Sequence, residues 1–403
     1  RNLEAFVELL AGSKVDVKPL ISHRYPISEA PQAYELVTGK RKEPFLGILL
    51  TYPQTGGEPA APQTQVQVQG KQPARQAAAG GLSLGVLGAG NYATAVFLPT
   101  INKVGGVQKT AIASAAGLSA RHAAERYGFQ KAGSSEQDVI NAPDINVIAI
   151  LTRHQHHARQ ALAALRAGKA VYCEKPLAIT PDELREVIGA LENETLPLLM
   201  VGFNRRFAPL AQQLRDFLNE SSEPFAASYR INAGPIPLSH WIHDPSQGGG
   251  RIVGEACHFV DFLTFLAGAP PVSVSAQALP DAGIYHQDNV LLTLTFPDGS
   301  LGNIAYLANG DKSFPKERVE LFSGGRVAVL DDFRRLELIH DGRRRVHQLR
   351  LGQDKGHRAA WEAFLAAIRQ GGPAPIPYNQ LDGVTRATFA ALEALSEGNF
   401  SLV

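Results

Sequence analysis

The sequence predicts an α/β domain built on a doubly wound parallel sheet, followed by an α+β domain with a large, mostly antiparallel sheet. Three observations carry that expectation. A short apolar strand at 82–87 runs straight into the glycine-rich turn Gly88-Ala89-Gly90-Asn91. Apolar strand candidates then alternate with helix candidates as far as residue 203, the pattern of βα units whose strands are buried on both faces. Beyond Phe207 the period changes: Val290, Leu292, Leu294 and Phe296 alternate with Leu291, Thr293 and Thr295, as in strands that bury one face.

A chain of 403 residues can hold two domains and an ample core. Thirty-nine Lys and Arg against 38 Asp and Glu leave a net charge of +1, which gives no electrostatic ground for a nucleic-acid or anionic-membrane partner. No apolar run approaches the ~20 residues needed to span a bilayer, and no segment has the form of a signal peptide. The two cysteines, Cys173 and Cys257, make no disulfide framework, so a reduced, cytoplasmic setting is expected. The chain starts at Arg1 and its one methionine is Met200, so position 1 is expected to lie inside a longer polypeptide.

In chain order, residues 1–53 read as a small unit of their own. Leu3, Phe6, Val7 and Leu10 recur at helical spacing, a second helix carries Ala33, Leu36 and Val37 and closes at Gly39, and 45–50 read as a strand. The run His23-Arg24-Tyr25-Pro26 with Glu29-Ala30 and Ala33-Tyr34 resembles the C-terminal end of zinc-type (medium-chain) alcohol dehydrogenases. It brings neither the zinc ligands nor the nucleotide-binding turn of those enzymes, so this piece is expected to carry no chemistry. Residues 54–81, rich in Gln, Ala, Pro and Gly and poor in large apolar side chains, cannot bury enough surface to order themselves and read as a linker.

Residues 82–203 form the first large domain, with strands expected at 82–87, 110–115, 147–151, 170–173 and 198–203. Ser119 is expected to cap a helix that closes at Gly128, and a helix from His157 to Ala167 has Gly168 just past its end. Thr180-Pro181-Asp182-Glu183 has the form of a capping box with proline at the first helical position. In the second domain, 204–403, strands are expected at 225–232, 272–276, 290–296, 301–307, 319–322, 326–330 and 336–339. Pro297-Asp298-Gly299-Ser300 forms a turn between two of them, and helices at 361–369 and 385–395 close the chain. No internal repeat is present.

Gly88, Gly90 and Ala93 fit the Gly-x-Gly-x-x-Gly/Ala fingerprint of a dinucleotide-binding, or Rossmann, turn. The first glycine permits the turn, the second lets a diphosphate approach the backbone, and the small third residue lets the helix pack on the strand with its N-terminus toward the phosphates. Gly88, Gly90, Asn91 and Tyr92 are thus candidate cofactor-binding residues. No Asp or Glu occurs between Gly88 and Glu125, so the usual carboxylate clamp on an adenosine 2′-hydroxyl is missing. Ser119 and Arg121 are candidates for binding a 2′-phosphate, and NADP is slightly favoured over NAD.

The turn at 88–93, the stretch 152–157 before a helix, Glu174-Lys175-Pro176, Asn204-Arg205-Arg206-Phe207, and Gly248-Gly249-Gly250 with His258 and Asp261 occur in this order. Together they resemble the Gfo/Idh/MocA oxidoreductases over about residues 82–400. The resemblance implies a Rossmann domain, a C-terminal domain with an open sheet face, and a substrate between that face and a nicotinamide. Hydride would move to or from a hydroxyl or carbonyl carbon of a sugar, cyclitol or sugar nucleotide. Thr152, His154, His157, Glu174 and Lys175 join the cofactor-binding set on the same ground.

Lys175 would place an ammonium beside the reacting oxygen, able to polarise a carbonyl or stabilise an alkoxide. His258 would be the general base or acid, with Asp261 one helical turn on as an orienting or a structural group. Where the family pattern carries Asp four residues before this histidine, the chain has Gly254 followed by Glu255, which makes Glu255 a third catalytic candidate. Arg205, Arg206, Arg230, His240, Trp241 and Arg251, with His258, form a candidate polar or anion-binding wall for the substrate. His154-Gln155-His156-His157 stands at a loop-to-helix junction, and no metal is expected there. Cys173 and Cys257 read as small buried thiols. The expected function is an NAD(P)-dependent oxidoreductase acting on a polyol or sugar without metal, as a homodimer or homotetramer. The competing reading, favoured by Gly254 and by the alcohol-dehydrogenase-like remnant, is a nucleotide-binding partner or sensor that keeps the fold and has lost turnover.

Overall fold

The structure, a computed structural model, describes residues 2–52, 64–68, 81–350, 352–397 and 400–402. They fall into two compact units, 1–63 and 64–403. In the first, helix α1 (Asn2–Ala11) precedes strand β1 (Ile21–Pro26), helix α2 (Ala30–Val37) and strand β2 (Gly47–Thr51), and the two strands pair in parallel. Tyr25, Ala33 and Leu36 form its small core, with Ile48 and Leu50 against them. Of the linker expected at 54–81, residues 54–63 and 69–80 lie outside the described residues. Gln65–Gln67 is not linker: it forms an edge strand, β3, antiparallel to a later strand.

The second unit opens with the parallel strands β4 (Ser83–Leu87), β5 (Gln108–Ala113), β6 (Lys131–Gly133), β7 (Val147–Ile150), β8 (Ala170–Cys173) and β9 (Leu199–Val201), in the order β3-β6-β5-β4-β7-β8-β9. Apart from β3, neighbouring strands of this sheet pair in parallel. From β4 the chain winds outward through β5 and β6, then returns to the other side at β7. The ends of β4 and β7 therefore form the switch point where open parallel sheets hold their ligands. Helices α3 (Leu98–Val104), α4 (Leu118–Tyr127), α5 (Glu136–Ile140), α6 (His157–Arg166) and α7 (Pro181–Asn193) connect the strands. The capping box of α7 forms as expected. Ser119 does not cap α4. Gly117 holds the cap position with φ +64, and Ser119 lies one residue into the helix with its Oγ 2.7 Å from Ser114 Oγ.

After helix α8 (Pro209–Asn219) come β10 (Ala226–Asn232), helix α9 (Cys257–Ala267), and strands β11 (Ser273–Ala278), β12 (Asn289–Thr295), β13 (Leu301–Leu307), β14 (Glu317–Ser323), β15 (Arg326–Asp331), β16 (Arg335–His340) and β17 (Arg343–Gln348). Helices α10 (His357–Gln370) and α11 (Tyr378–Glu397) and strand β18 (Phe400–Leu402) follow. The nine strands form one sheet, antiparallel except for β10 beside β13. Both sheets share one hydrophobic core. Trp361 packs α10 onto the first sheet, its ring 5.2 Å from Phe97, 5.5 Å from Tyr172 of β8 and 5.4 Å from Phe364 of its own helix. Such aromatic contacts add about 0.5–1.5 kcal/mol each beyond the area they bury, and they set the start of α10 beside the switch point.

Candidate functional site

A cavity of about 920 Å3 opens at the switch point, walled by the turn after β4, the loop after β7, the segment after β8, the start of α9 and the short segments that lead into β14 and α10. Its floor depends on two glycines. Gly88 has φ +100, and a Cβ there would lie 2.5 Å from the carbonyl oxygen of Leu151, so only glycine allows β4 and β7 to come together at this point. A Cβ at Gly90 would meet nothing within 4 Å: its Cα faces the open cavity, where a diphosphate can approach the backbone. With Asn91, Tyr92 and Ala93 also in the lining, the turn fits a dinucleotide. At the end of β5 it is Ser114 that faces the cavity. Ser119 stands behind it, and Arg121 is an exposed residue of α4 paired with Glu125 at 3.0 Å.

Glu174, Lys175 and a cis Pro176 follow β8. Glu174 is buried, and burial pushes its carboxyl up to about 7, against a hydrogen bond from the Tyr92 hydroxyl and the charge of Lys175. Its Oε1 has no partner and rests on the Cα of Gly202, where a Cβ would be 2.6 Å away. The Lys175 ammonium donates to the carbonyl of Gly254 at 2.7 Å. That carbonyl belongs to a π-helical turn, Ile252–Ala256, that leads into α9. His157, fully buried, locks the segment in place with Nδ1 2.7 Å from the Pro176 carbonyl and Nε2 3.1 Å from that of Thr152. The Thr152 hydroxyl in turn donates to Gln160 at 2.6 Å.

Position 254 has no room for the carboxylate that the family pattern carries. A Cβ there would lie 2.9 Å from Cε1 of His154, a buried ring anchored to the Gly248 carbonyl at 2.8 Å. Burial and the nearby charge of Lys175 push His154 down to about 3, and burial, against its two carbonyl neighbours, pushes His157 down to about 4; both are neutral, and His157 donates to one of the two carbonyls only. Among the described residues no three side chains converge to hold a metal ion.

His258, half-buried, lines the cavity, and its Nδ1 has no partner. Burial first, then the charges of Arg205 and Lys175, push its pKa well below the usual range. Asp261 does not orient it. That carboxylate is fully buried and bound side-on by Arg206, with Nε 3.1 Å from Oδ2, while Arg206 Nη1 donates to Gln380 at 2.8 Å. Glu255 also lines the cavity, but it takes the Arg251 guanidinium at 3.0 Å and the Tyr306 hydroxyl. Burial opposes its charge, yet Arg251 and Lys175 outweigh that and hold it at about 2. Glu255 therefore stays ionised, a counter-charge to Lys175 rather than a store for a proton.

The expected substrate wall divides. Arg205 and Trp241 line the cavity with His258 and His240. Arg206 and Arg251 do not: the first guanidinium is held by Asp261 and Gln380, the second by Asp288 at 3.1 Å, Gly234 at 2.9 Å and Glu255. Arg230 donates to the Pro315 carbonyl at 2.7 Å and also lies outside. Sequence reasoning missed Lys316, Lys355 and His357, which line the cavity from the approach to β14 and from the start of α10. They are single residues in connecting segments, and no local pattern marks them. A second, shallower recess of about 650 Å3 shares Arg153, His240 and Trp241 with the cavity.

Comparison with known proteins accords with this geometry. Residues 82–203 match the model of the Gfo/Idh/MocA oxidoreductase family, NAD-binding Rossmann fold, and residues 224–322 match the model of the GFO/IDH/MocA C-terminal domain. The chain is 29% identical over 220 residues to levoglucosan dehydrogenase of Pseudarthrobacter phenanthrenivorans, a span of 47% of this chain and 56% of that one. It is 31% identical over 196 residues to 1,5-anhydro-D-fructose reductase of Ensifer adhaerens, 48% of this chain and 58% of that one. The chain thus spans little more than half the length of these curated relatives. A solved levoglucosan dehydrogenase, in complex with NADH and levoglucosan, shares the fold with a TM-score of 0.71 and 24% identity, over 80% of this chain and 99% of that one. Through residues 82–203 and 224–322, the chain carries the NAD-binding and C-terminal domains of the Gfo/Idh/MocA oxidoreductase family.

Proposed function

We propose that this protein is an NAD(P)-dependent oxidoreductase that transfers a hydride between nicotinamide and a hydroxyl or carbonyl carbon of a polyol, sugar, cyclitol or sugar nucleotide. The observation that carries the reading is the convergence of Lys175 and His258 on one cavity with the glycine turn at 88–93. The relatives named as levoglucosan dehydrogenase and 1,5-anhydro-D-fructose reductase support a sugar-like substrate.

A bound nicotinamide supplies the acceptor for the hydride. Oxidation of an alcohol releases that hydride from carbon and a proton from oxygen. His258, held neutral, takes the proton, and in the reverse direction returns it to the oxygen. Lys175, fixed by the Gly254 carbonyl, stabilises the developing alkoxide, with Glu255 balancing its charge. Gly88, Gly90, Asn91 and Tyr92 hold the dinucleotide, and Thr152, His154, His157 and Glu174 shape the wall around it. Arg205 and Trp241 contact the substrate. NADP is slightly favoured because no carboxylate stands at the end of β5; Ser119 and Arg121 serve its 2′-phosphate once Arg121 releases Glu125. The outer face of the second sheet, where Leu291, Leu301 and Phe322 are about half exposed, supports a homodimer or homotetramer. Residues 1–53 take no part in the chemistry.

The reading is tested by following reduced nicotinamide with NAD+ and NADP+ against a panel of polyols and sugars. Turnover that is lost in Lys175→Ala supports it. One observation favours a nucleotide-binding sensor instead: His258 has no orienting partner, since Asp261 belongs to Arg206. Cofactor binding without turnover on any member of the panel would select that second reading.

A further inference from the structure

We infer that the substrate is an anionic polyol, carrying a carboxylate or a phosphate ester, and that Lys316 binds the anion together with Lys355 and Arg205. The inference rests on the oxidoreductase reading for treating the ligand as substrate. Its basis is a charge imbalance in the cavity wall. Lys316 lines the cavity, is open to solvent, and has no carboxylate within ion-pair distance among the described residues. The adjacent Glu317 cannot serve it. That buried carboxylate already accepts two bonds from Arg205 at 2.8 and 2.9 Å, one from the Tyr229 hydroxyl at 2.5 Å, and one from the Lys355 ammonium, which fills the acceptor sites of its two oxygens. Glu255, the other carboxylate near Lys316, is taken by Arg251 and Tyr306.

With Glu255 matched by Arg251, the remaining cations Arg205, Lys316 and Lys355 have only Glu317 among them, three positive charges against one negative, an excess of two. A ligand of hydroxyl groups alone leaves that excess in place. A carboxylate on the ligand halves it and a phosphate ester nearly cancels it, and in a partly enclosed cavity the pairing is stronger than in open water. The dinucleotide is the other anion the cavity would hold, but its diphosphate belongs at the turn after β4, where backbone N–H groups are the donors. Lys316 stands one residue before β14, away from that turn, with Glu255, Glu317, Lys355 and Arg205 as its charged neighbours.

The test compares kcat/KM for matched neutral polyols, the corresponding aldonic and uronic acids, and the corresponding phosphate esters. Wild type and Lys316→Met are assayed at low and high salt, with cofactor Kd measured in parallel. The expected result is a preference for one acidic arm of about tenfold to hundredfold, the worth of a hydrogen bond to a charged group. That preference shrinks in Lys316→Met and in salt, while the cofactor Kd stays as in wild type. Which acidic arm is preferred tells carboxylate from phosphate. Neutral polyols turned over as well as the acids would overturn the inference and leave the oxidoreductase reading standing. A Lys316→Met variant that loses cofactor affinity rather than the substrate preference would also overturn it, and absence of turnover on every arm would sink both.

Discussion

At the scale of single residues, the candidate site is lined by groups whose charge is fixed by their surroundings. His258 is neutral because burial and neighbouring cations disfavour its imidazolium, so it is ready to accept a proton without first losing one. A base with a lowered pKa stays deprotonated to lower pH. The acidic limb of the kcat/KM profile for alcohol oxidation is therefore expected below the ~6.5 of an ordinary histidine, and His258→Asn should lower kcat by about 10²–10⁴-fold. A limb centred at or above pH ~6.5 in the wild type would remove His258 from the proposed role. The residues that could be read from sequence were those whose meaning is local: Gly88 and Gly90 sit directly after an apolar strand, and Glu174-Lys175-Pro176 directly after another. Arg206 and Arg251 could not be placed, because Asp261 is 55 residues from the first and Asp288 is 37 from the second. Arg205 meets Glu317 across 112 residues, a pairing only the fold creates.

At the scale of elements, α9 and the π-helical turn before it carry the second half of the site. Nearly every side chain of α9 is buried, and Asp261 within it would be a costly buried charge without Arg206. Asp261→Ala leaves that guanidinium unpaired, and denaturant titration should show a loss of about 3–5 kcal/mol. Replacing both partners by apolar residues of similar size should recover most of it. A single variant as stable as wild type would mean the pair does not anchor α9. Elements with a strong period, such as β12 and β13, were legible because their apolar alternation is the same thing as their one-sided burial. Strand β17 was not: Arg343-Arg344-Arg345-Val346-His347-Gln348 has no apolar alternation, since it is an edge strand with little to bury. Strands β3 and β6, three residues each, are too short for any period to show.

At the scale of the whole molecule, stability depends on buried groups that titrate in opposite directions. His154 and His157 sit at about 3 and about 4 in the folded chain against a usual 6.5. Between those values the unfolded chain binds more protons, so stability falls as pH drops. Glu174, at about 7 against a usual 4.5, does the reverse: across that interval the folded chain binds more protons, and stability falls as pH rises. The two effects oppose each other between pH 4.5 and 6.5. Glu174→Gln removes one of them, so the melting temperature of the variant should fall more steeply than that of wild type as pH is lowered through this range. Parallel curves would show that Glu174 is not protonated there. The outer face of the second sheet makes its own prediction: light scattering should give a dimer or tetramer, and Leu291→Asp with Leu301→Asp should shift it toward monomer.

The most direct measurement of the central claim, that Lys175 and His258 meet a bound nicotinamide and a carbinol carbon in one cavity, is isotope transfer. A polyol deuterated at its carbinol carbons is incubated with oxidised cofactor, and the reduced nicotinamide is analysed by mass spectrometry. The account predicts one deuterium in the cofactor with wild type, and none with a Lys175→Met variant that still binds the dinucleotide. A reduced cofactor without deuterium, or transfer undiminished in the variant, would contradict it.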